Sequence, residues 1–460
     1  MVATNVANAS TPGYVRRSLE VSEKILGGST AGVQSDGVSR SENQSLTAER
    51  RNLTSDLAQA DVLSSTWQTI SSMIGDTAEG TGLFKSFGDF ETALSNLALT
   101  PESGADAATV LSSANAIVTE FHDLSQMVVS LRTEADREIG YGRDIVNSAL
   151  KTIETLNSQL SGMDRTTGAA AALVDERNRV LDTISEYIPV QAVPRNYGMI
   201  DVVTPEGVFL VAGTARQLEF NTSSSFGPGQ TFENGALSGL SVDGIALTPG
   251  SPSYGAVSSG LFGALFTLRD QDLPTFSAQL DTLASDFISR LSDDAIDPTK
   301  TPGDPGMFVD SAGTGDPGLA GRIAINAAID PAQGGATWRL RDGIGAIAQG
   351  PTGDSTILDK MLSAVKQVST ISSNGIQGAF SSTEMAAQLA SLAGQKRLQN
   401  ESILSSTTAQ YTMIQSAEQS ENGVDTDTEM QNLILIEQAY AANARVIEIA
   451  GQMINRLMEI

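Results

Sequence analysis

The chain has 460 residues, a formal net charge of −26 from 54 acidic against 28 basic residues, and only 5% aromatic residues. Such a charge excludes an electrostatic grip on phosphate backbones or anionic lipid, so neither nucleic acid nor membrane insertion is expected. The absence of cysteine excludes a disulfide framework, a thiol nucleophile and a thiolate-held metal centre, and suits a protein that crosses redox compartments or is exported unfolded.

The length favours roughly two to four domains. At the N-terminus the stretch N-V-A-N-A-S-T-P-G-Y, Asn5 to Tyr14, reads as the end of a helix. Pro12-Gly13 is a turn signal, and Thr11, preceding a proline, is biased away from helical backbone, so the helix should stop by about Ala9 or Ser10. That is too short to stand alone. No basic region followed by an apolar one opens the chain, so no secretory signal peptide is expected. No apolar run reaches the roughly 18 residues of a spanning helix.

Apolar residues at alternating spacings of three and four then predict long helices of a bundle or coiled coil. Leu46, Leu53, Leu57, Ala60, Trp67, Ile70 and Ile74 mark the first. Val110, Ala114, Ile117, Phe121, Leu124, Val128 and Leu131 mark the next, and Val146, Ala149, Ile153, Leu156 and Leu160 resume it after an expected break around Gly140 and Gly142. From Ile188 to Ile245 the texture changes to short strands and turns. Helix returns from about Ser259 to Leu291. Asp294 to Gly353 is rich in Gly, Pro and Asp, with strands expected at Arg322 to Ile325 and near Trp338. Helix resumes from about Ser382 to Gln419 through Leu389, Leu392, Ile403 and Met413.

The final segment is the most regular. Leu433, Ile436, Tyr440, Asn443, Ile447, Ala450, Ile454 and Leu457 hold heptad spacing, with Asn443 as the polar residue that fixes register in the seam. A second apolar line, Val446, Met453 and Ile460, lies off that seam, so this helix wants more than one neighbour. Before it stands D-T-D-T-E, Asp425 to Glu429, whose side chains are suited to cap the helix and complement its dipole; the Gly and distal Glu of a calcium loop are missing. The sole histidine, His122, has no partner for a metal site or a nucleophilic dyad and reads as structural. Gly343 to Ala348 fits a dinucleotide fingerprint only formally, with no strand before it, and Asn221-Thr222-Ser223 is a formal glycosylation sequon. Neither G-x-S-x-G nor a P-loop is present. No catalytic residue, metal or cofactor is expected.

Two stretches at opposite ends of the chain carry a family resemblance. The opening N-V-A-N-A-S-T-P-G-Y-V-R resembles the N-terminal signature of the flagellar axial proteins (rod, hook and hook-associated), and L-I-L-I-E-Q-A-Y-A-A-N-A-R-V-I, Leu433 to Ile447, resembles their C-terminal signature. Ala171 to Val190 with Val174-Asp175-Glu176-Arg177, Gly207 to Leu218, Ser258 to Pro274 and Gly423-Val424-Asp425 are similar to the hook–filament junction branch of that family.

The resemblance implies a mainly α fold with β insertions: a discontinuous, elongated helical stem formed by both termini, with small β-rich inserted and outer domains. Residues 1–35 plus 422–460 are then terminal axial helices, the N-terminal part truncated relative to the family pattern. Residues 36–187, 255–292 and 354–421 form the stem, 188–254 a β insert and 293–353 a Gly/Pro-rich outer domain.

It further implies a structural ring joining hook to filament, exported by the flagellar type III system to an extracellular site. The implied partners are other copies of itself, the hook protein, a second junction protein on the filament side, and an export chaperone at the C-terminal helix. Leu433, Ile436, Tyr440, Asn443, Ile447, Ile454 and Leu457 are the expected assembly interface, and Asn8, Pro12, Gly13 and Tyr14 the turn motif. A hook or distal-rod protein shares both terminal signatures and stays open as the alternative. An exported enzyme, or a surface adhesin built on Asp294 to Gly353, stands further off.

Overall fold

A short first helix, α1 (Val2–Ala7), ends at Asn8, and beyond the Pro12-Gly13 turn the chain becomes extended. In the computed structural model, which describes residues 1–26, 29–76, 78–249, 255–315 and 317–458, β1 (Arg17–Leu26) pairs antiparallel with β2 (Ser29–Arg40). The helical expectation for residues 1–35 therefore holds only for Val2–Ala7. The reason is a period of two rather than 3.6. Leu19 and Val21 alternate with Ser18, Glu20 and Ser22, and the polar side chains join across the strands, Ser18 Oγ to Ser39 Oγ at 2.7 Å and Gln34 Nε2 to Ser22 Oγ at 3.3 Å. Ile460, the last residue of the second apolar line, and residues 250–254 at the expected end of the β insert lie outside the described residues.

Four helices follow: α2 (Gln44–Ile74), α3 (Gly82–Leu99), α4 (Gly104–Ser161) and α5 (Gly168–Tyr187). Asn43, Ser103 and Thr167 cap α2, α4 and α5 by accepting from backbone N–H groups of the first turn. α4 runs for 58 residues straight through Gly140 and Gly142, so the expected break is absent. These glycines are there for closeness of approach. A Cβ on Gly140 would lie 2.6 Å from Thr222 Cγ2, and one on Gly142 would lie 2.7 Å from both Phe262 Cε1 and Tyr187 Cδ1.

Next come β3 (Gln191–Pro194), β4 (Ile200–Val203), β5 (Phe209–Ala212) and β6 (Thr214–Ala215), an antiparallel sheet in that order. A smaller sheet follows, of β7 (Leu218–Glu219), β8 (Ser241–Val242) and β9 (Ile245–Ala246). Helix resumes as α6 (Gly260–Thr267), passes through one π-helical turn (Leu268–Asp272) and continues as α7 (Leu273–Leu291). In the Gly/Pro-rich segment β10 (Phe308–Asp310) pairs with β11 (Ile323–Ile325). No strand forms near Trp338. Trp338 instead opens a single turn, α8 (Arg339–Asp342), in which Asp342 N donates to Trp338 O and Gly343, at φ +105°, ends the turn. α9 (Thr356–Lys366) leads to a hairpin of β12 (Ser369–Ser373) and β13 (Ile376–Phe380), then α10 (Ser382–Asn422) and α11 (Thr426–Met458). Ser381 and Glu384 start α10 with a reciprocal capping box. α10 packs along α2, yet of its expected apolar line only Leu389 is fully buried, while Ile403 and Met413 face solvent.

Two apolar cores share α4. Val110 to Val128 belong to one, with Phe87, Phe90, Phe287 and Phe308 meeting edge-on or tilted, and Met307, Ile323 and Ile325 of the Gly/Pro-rich segment join it. Ala135 to Ile153 belong to the other, with α5, α6 and the sheet residues Val202, Leu210 and Val211. Between them lies a buried charge cluster. Arg269, in the π turn and fully buried, donates to Asp136 Oδ1 at 2.6 Å, Asp270 Oδ2 at 2.8 Å and the Ser238 carbonyl at 2.9 Å, and Arg132 Nε donates to the Arg269 carbonyl at 2.9 Å. His122 is structural too: its Nε2 lies 2.8 Å from the Ile323 carbonyl, tying α4 to β11.

The glycines give a test by sign. Gly142→Ala should destabilise the chain by about 1–3 kcal/mol in urea unfolding, the range for overpacking. Gly88→Ala, where an added methyl meets nothing within 4 Å, should stabilise it by about 0.5–1 kcal/mol by lowering the backbone entropy of the unfolded chain. Equal effects at the two positions would mean that Gly142 is not a packing residue.

Candidate assembly interface

α11 begins at a joint where the N-terminal segment meets the base of the last helix. Asp425 caps it, accepting from Asp427 N at 2.9 Å, Thr428 N at 3.3 Å and Thr428 Oγ1 at 2.7 Å. Those donors, the Thr428 hydroxyl first and then the two backbone N–H groups, hold the Asp425 carboxyl below the usual carboxylate range. One step further, Glu429 is the buried residue of α11, and its Oε1 accepts from Asn5 Nδ2 at 2.9 Å.

Asn5 is the hub. Its amide also donates to the Arg17 carbonyl at 2.8 Å, and its Oδ1 accepts from Tyr14 Oη at 2.9 Å and from Arg17 N at 3.2 Å. Both hydrogens and both lone-pair directions of the side chain are used, as a buried amide requires. Burial pushes the Tyr14 phenol up, which keeps it the donor in that bond. Arg17 stacks over the Tyr14 ring at 4.7 Å and pairs with Asp175 of α5, which Arg40 Nη2 also reaches at 2.6 Å. From the other side, Arg16 N donates to the Asn422 carbonyl at 2.9 Å and Asn43 N to Asn422 Oδ1 at 2.7 Å. The connector between α10 and α11 is thus clamped to the root of the hairpin.

The expected turn motif assembles around this hub. Asn8 Nδ2 donates to the Thr4 carbonyl at 2.9 Å, and its Oδ1 accepts from Thr11 Oγ1 at 3.2 Å. Pro12 is exposed at the tip. Gly13 sits at φ +73° against Arg179, whose Cγ would lie 2.8 Å from an added Cβ, so conformation and space both call for glycine. Asn5, Arg17, Asp175 and Glu429 were not read as site residues from the sequence. A signal for one was present: Glu429 stands four residues before Leu433, the next position back along the heptad seam, where a carboxylate has to have a buried partner.

Beyond its first turn α11 is open. The proposed face is exposed along its length, from 43% at Leu433 to 78% at Tyr440, with Ile436, Asn443, Ile447, Ile454 and Leu457 between or beyond them also exposed. Val446 and Met453 on the second line are exposed as well. Arg445, Glu448 and Arg456 are placed away from the seam at 3.6 residues per turn, and Glu437 flanks it. The exposed apolar surface of this helix spans a wide arc. Among the described residues no group of His, Cys, Asp and Glu is arranged to hold a metal ion, and no helix is long and apolar enough to cross a membrane.

Two outcomes follow from this joint. Asn5→Ala leaves Glu429 without its partner and should cost about 1–3 kcal/mol locally, read as loss of hydrogen-exchange protection at the start of α11 with the two cores unchanged; full protection would remove Asn5 from the role of hub. Because the Asp425 carboxyl lies lower in the folded chain than the unfolded value of about 3.9, its cap is fully present above that value and is lost as pH falls through the depressed one. Acidification should therefore fray the first turn of α11, and Asp425→Ala should already be frayed at neutral pH.

Comparison with known proteins bears on what this face serves. A family model described as the flagellar hook-associated protein FlgK helical domain matches residues 67–297, and one described as the flagellar basal body rod FlgEFG protein C-terminal matches residues 415–460. Flagellar hook-associated protein 1 of Bacillus subtilis (strain 168) is 22% identical, over 99% of this chain and 94% of that protein. The Escherichia coli (strain K12) protein of the same name is 26% identical over 62% of this chain, which spans about half of it (52%). A solved structure, the flagellar hook junction protein FlgK from Burkholderia pseudomallei, aligns with a TM-score of 0.45 at 21% identity, over 57% of this chain and 46% of that one. With the helical-domain model covering residues 67–297 of 460, the chain belongs to the flagellar hook-associated protein FlgK family.

Proposed function

We propose that this chain is the structural subunit of the ring that joins hook to filament, with α11 as its axial assembly face. The observation that carries the reading is α11 itself: a 33-residue helix, anchored at its base through Glu429 and Asn5, whose apolar residues are left exposed. In a family of hook-associated proteins, such a face is satisfied by packing against other subunits. Leu433, Ile436, Tyr440, Asn443, Ile447, Ile454 and Leu457 form that face in this reading. Asn8, Pro12, Gly13 and Tyr14 set the turn from the axial segment into the stem.

The partners are further copies of the chain, the hook protein on one side and a second junction protein on the other. Before assembly an exposed apolar helix is an aggregation hazard, which an export chaperone on α11 would cover during passage through the type III apparatus. The division into axial segments, a discontinuous stem, a β insert at 188–254 and an outer region at 293–353 belongs to the same reading. The rod-protein C-terminal match favours a hook or distal-rod subunit over residues 415–460, whereas the helical-domain match over residues 67–297 favours the junction.

Deletion of the gene, followed by electron microscopy and a blot for filament subunit in the medium, separates these. Bare hooks with shed filament protein support the junction, and missing hooks support the rod or hook reading. Ile447→Asp should reproduce the deletion phenotype while the stem still folds. Normal motility in that variant would overturn the assignment of the face.

A further inference from the structure

The thioethers of this protein range from fully buried to largely exposed, with Met1, Met73, Met163 and Met430 between the extremes. Met307 and Met385 are buried at 1% and 0%, and Met127 and Met361 are buried with them, whereas Met453 and Met458 on α11 are exposed at 60% and 82%. Met453 has Ile449 four residues before it and Leu457 four residues after it, both exposed, so its sulfur sits in the middle of an apolar strip on the helix surface. The chain has no cysteine. A peroxide meeting it finds no thiolate, and the accessible thioethers become its softest nucleophiles.

We propose that Met453 is a reversible oxidation site at which a hydroperoxide weakens the packing of α11 in the unassembled chain; this rests on the reading of α11 as the assembly face. With hydrogen peroxide the sulfur lone pair attacks one peroxide oxygen. The S–O bond forms as the O–O bond breaks, the departing oxygen takes up a proton and leaves as water, and the sulfur gives an electron pair to the peroxide. The product is a methionine sulfoxide whose S–O dipole stands between Ile449 and Leu457, where packing against another subunit would bury it. A buried sulfoxide oxygen without a donor opposes association, and a methionine sulfoxide reductase removes it. Once the helix is packed the sulfur is shielded, so the modification acts before assembly and not after it.

The test treats the full chain with graded hydrogen peroxide, maps oxygen uptake by peptide mass spectrometry and measures self-association by sedimentation. Met453, with Met458 and the exposed Met413 of α10, should be oxidised ahead of Met307 and Met385. Association should weaken by about tenfold or more, the scale of burying an unpartnered polar group, and recover after sulfoxide reductase. Met453→Leu should make association resistant to peroxide, and Met413→Leu should not. Even oxidation of buried and exposed methionines, unchanged association once Met453 is oxidised, or undiminished peroxide sensitivity in Met453→Leu would each overturn the proposal. An untreated chain that fails to associate under any condition counts against the assembly face itself and removes this inference with it.

Discussion

α4 carries apolar residues of both cores on one uninterrupted rod, and much of the body is gathered around it. Its first half collects α3, α7 and the strands around Phe308, and its second half collects α5, α6 and the two small sheets. A helix that long needs neighbours throughout to stay ordered. At its centre the apolar stripe is interrupted by Arg132 and Asp136, and the π turn between α6 and α7 places Arg269 there to meet them. The ion pair is weak evidence for stability in itself. What it adds is register: sliding α4 against α6 and α7 by one turn would keep most apolar contacts but leave a buried guanidinium without its carboxylate.

The long helices were legible because their apolar spacing persists over many turns, and the β insert was legible because its strands are separated by Gly and Pro turns. The misreadings have local causes. Gly140 and Gly142 look like a helix break until Thr222, Tyr187 and Phe262, all distant in sequence, are seen to need the space a side chain would take. The β1–β2 hairpin carried a period-two signal at Leu19 and Val21, but the family resemblance had assigned residues 1–35 to helix. The β12–β13 hairpin had a usable signal in Asn374-Gly375, both at positive φ, the dipeptide a type I′ turn demands. Ile403 and Met413 keep helical spacing, yet that half of α10 leaves them facing solvent.

At the candidate interface two kinds of signal differ in legibility. The exposed face of α11 could be written down from spacing alone, since a heptad seam is a property of one helix. The joint beneath it could not, because Asn5, Arg17, Asp175 and Glu429 come from four separate elements and have no shared periodicity. Polar hubs of this kind appear in a sequence only as isolated violations, an Asn in a short apolar helix or a carboxylate on a seam. Such violations are worth pairing with one another before each is explained alone.

The Asn5–Glu429 bond links residues 424 positions apart, which sets an order of events. Two cores built largely on α4 and its neighbours have what they need before the last helix exists, and a chain emerging N-terminus first meets them in that order. The amide of Asn5 then waits, solvated, until Glu429 arrives, and the closure entropy of so long a loop is offset only because the intervening chain has already compacted. The joint is therefore among the last contacts that can form. A newly made or newly delivered subunit would pass through a stage in which its body is folded and its last helix swings free.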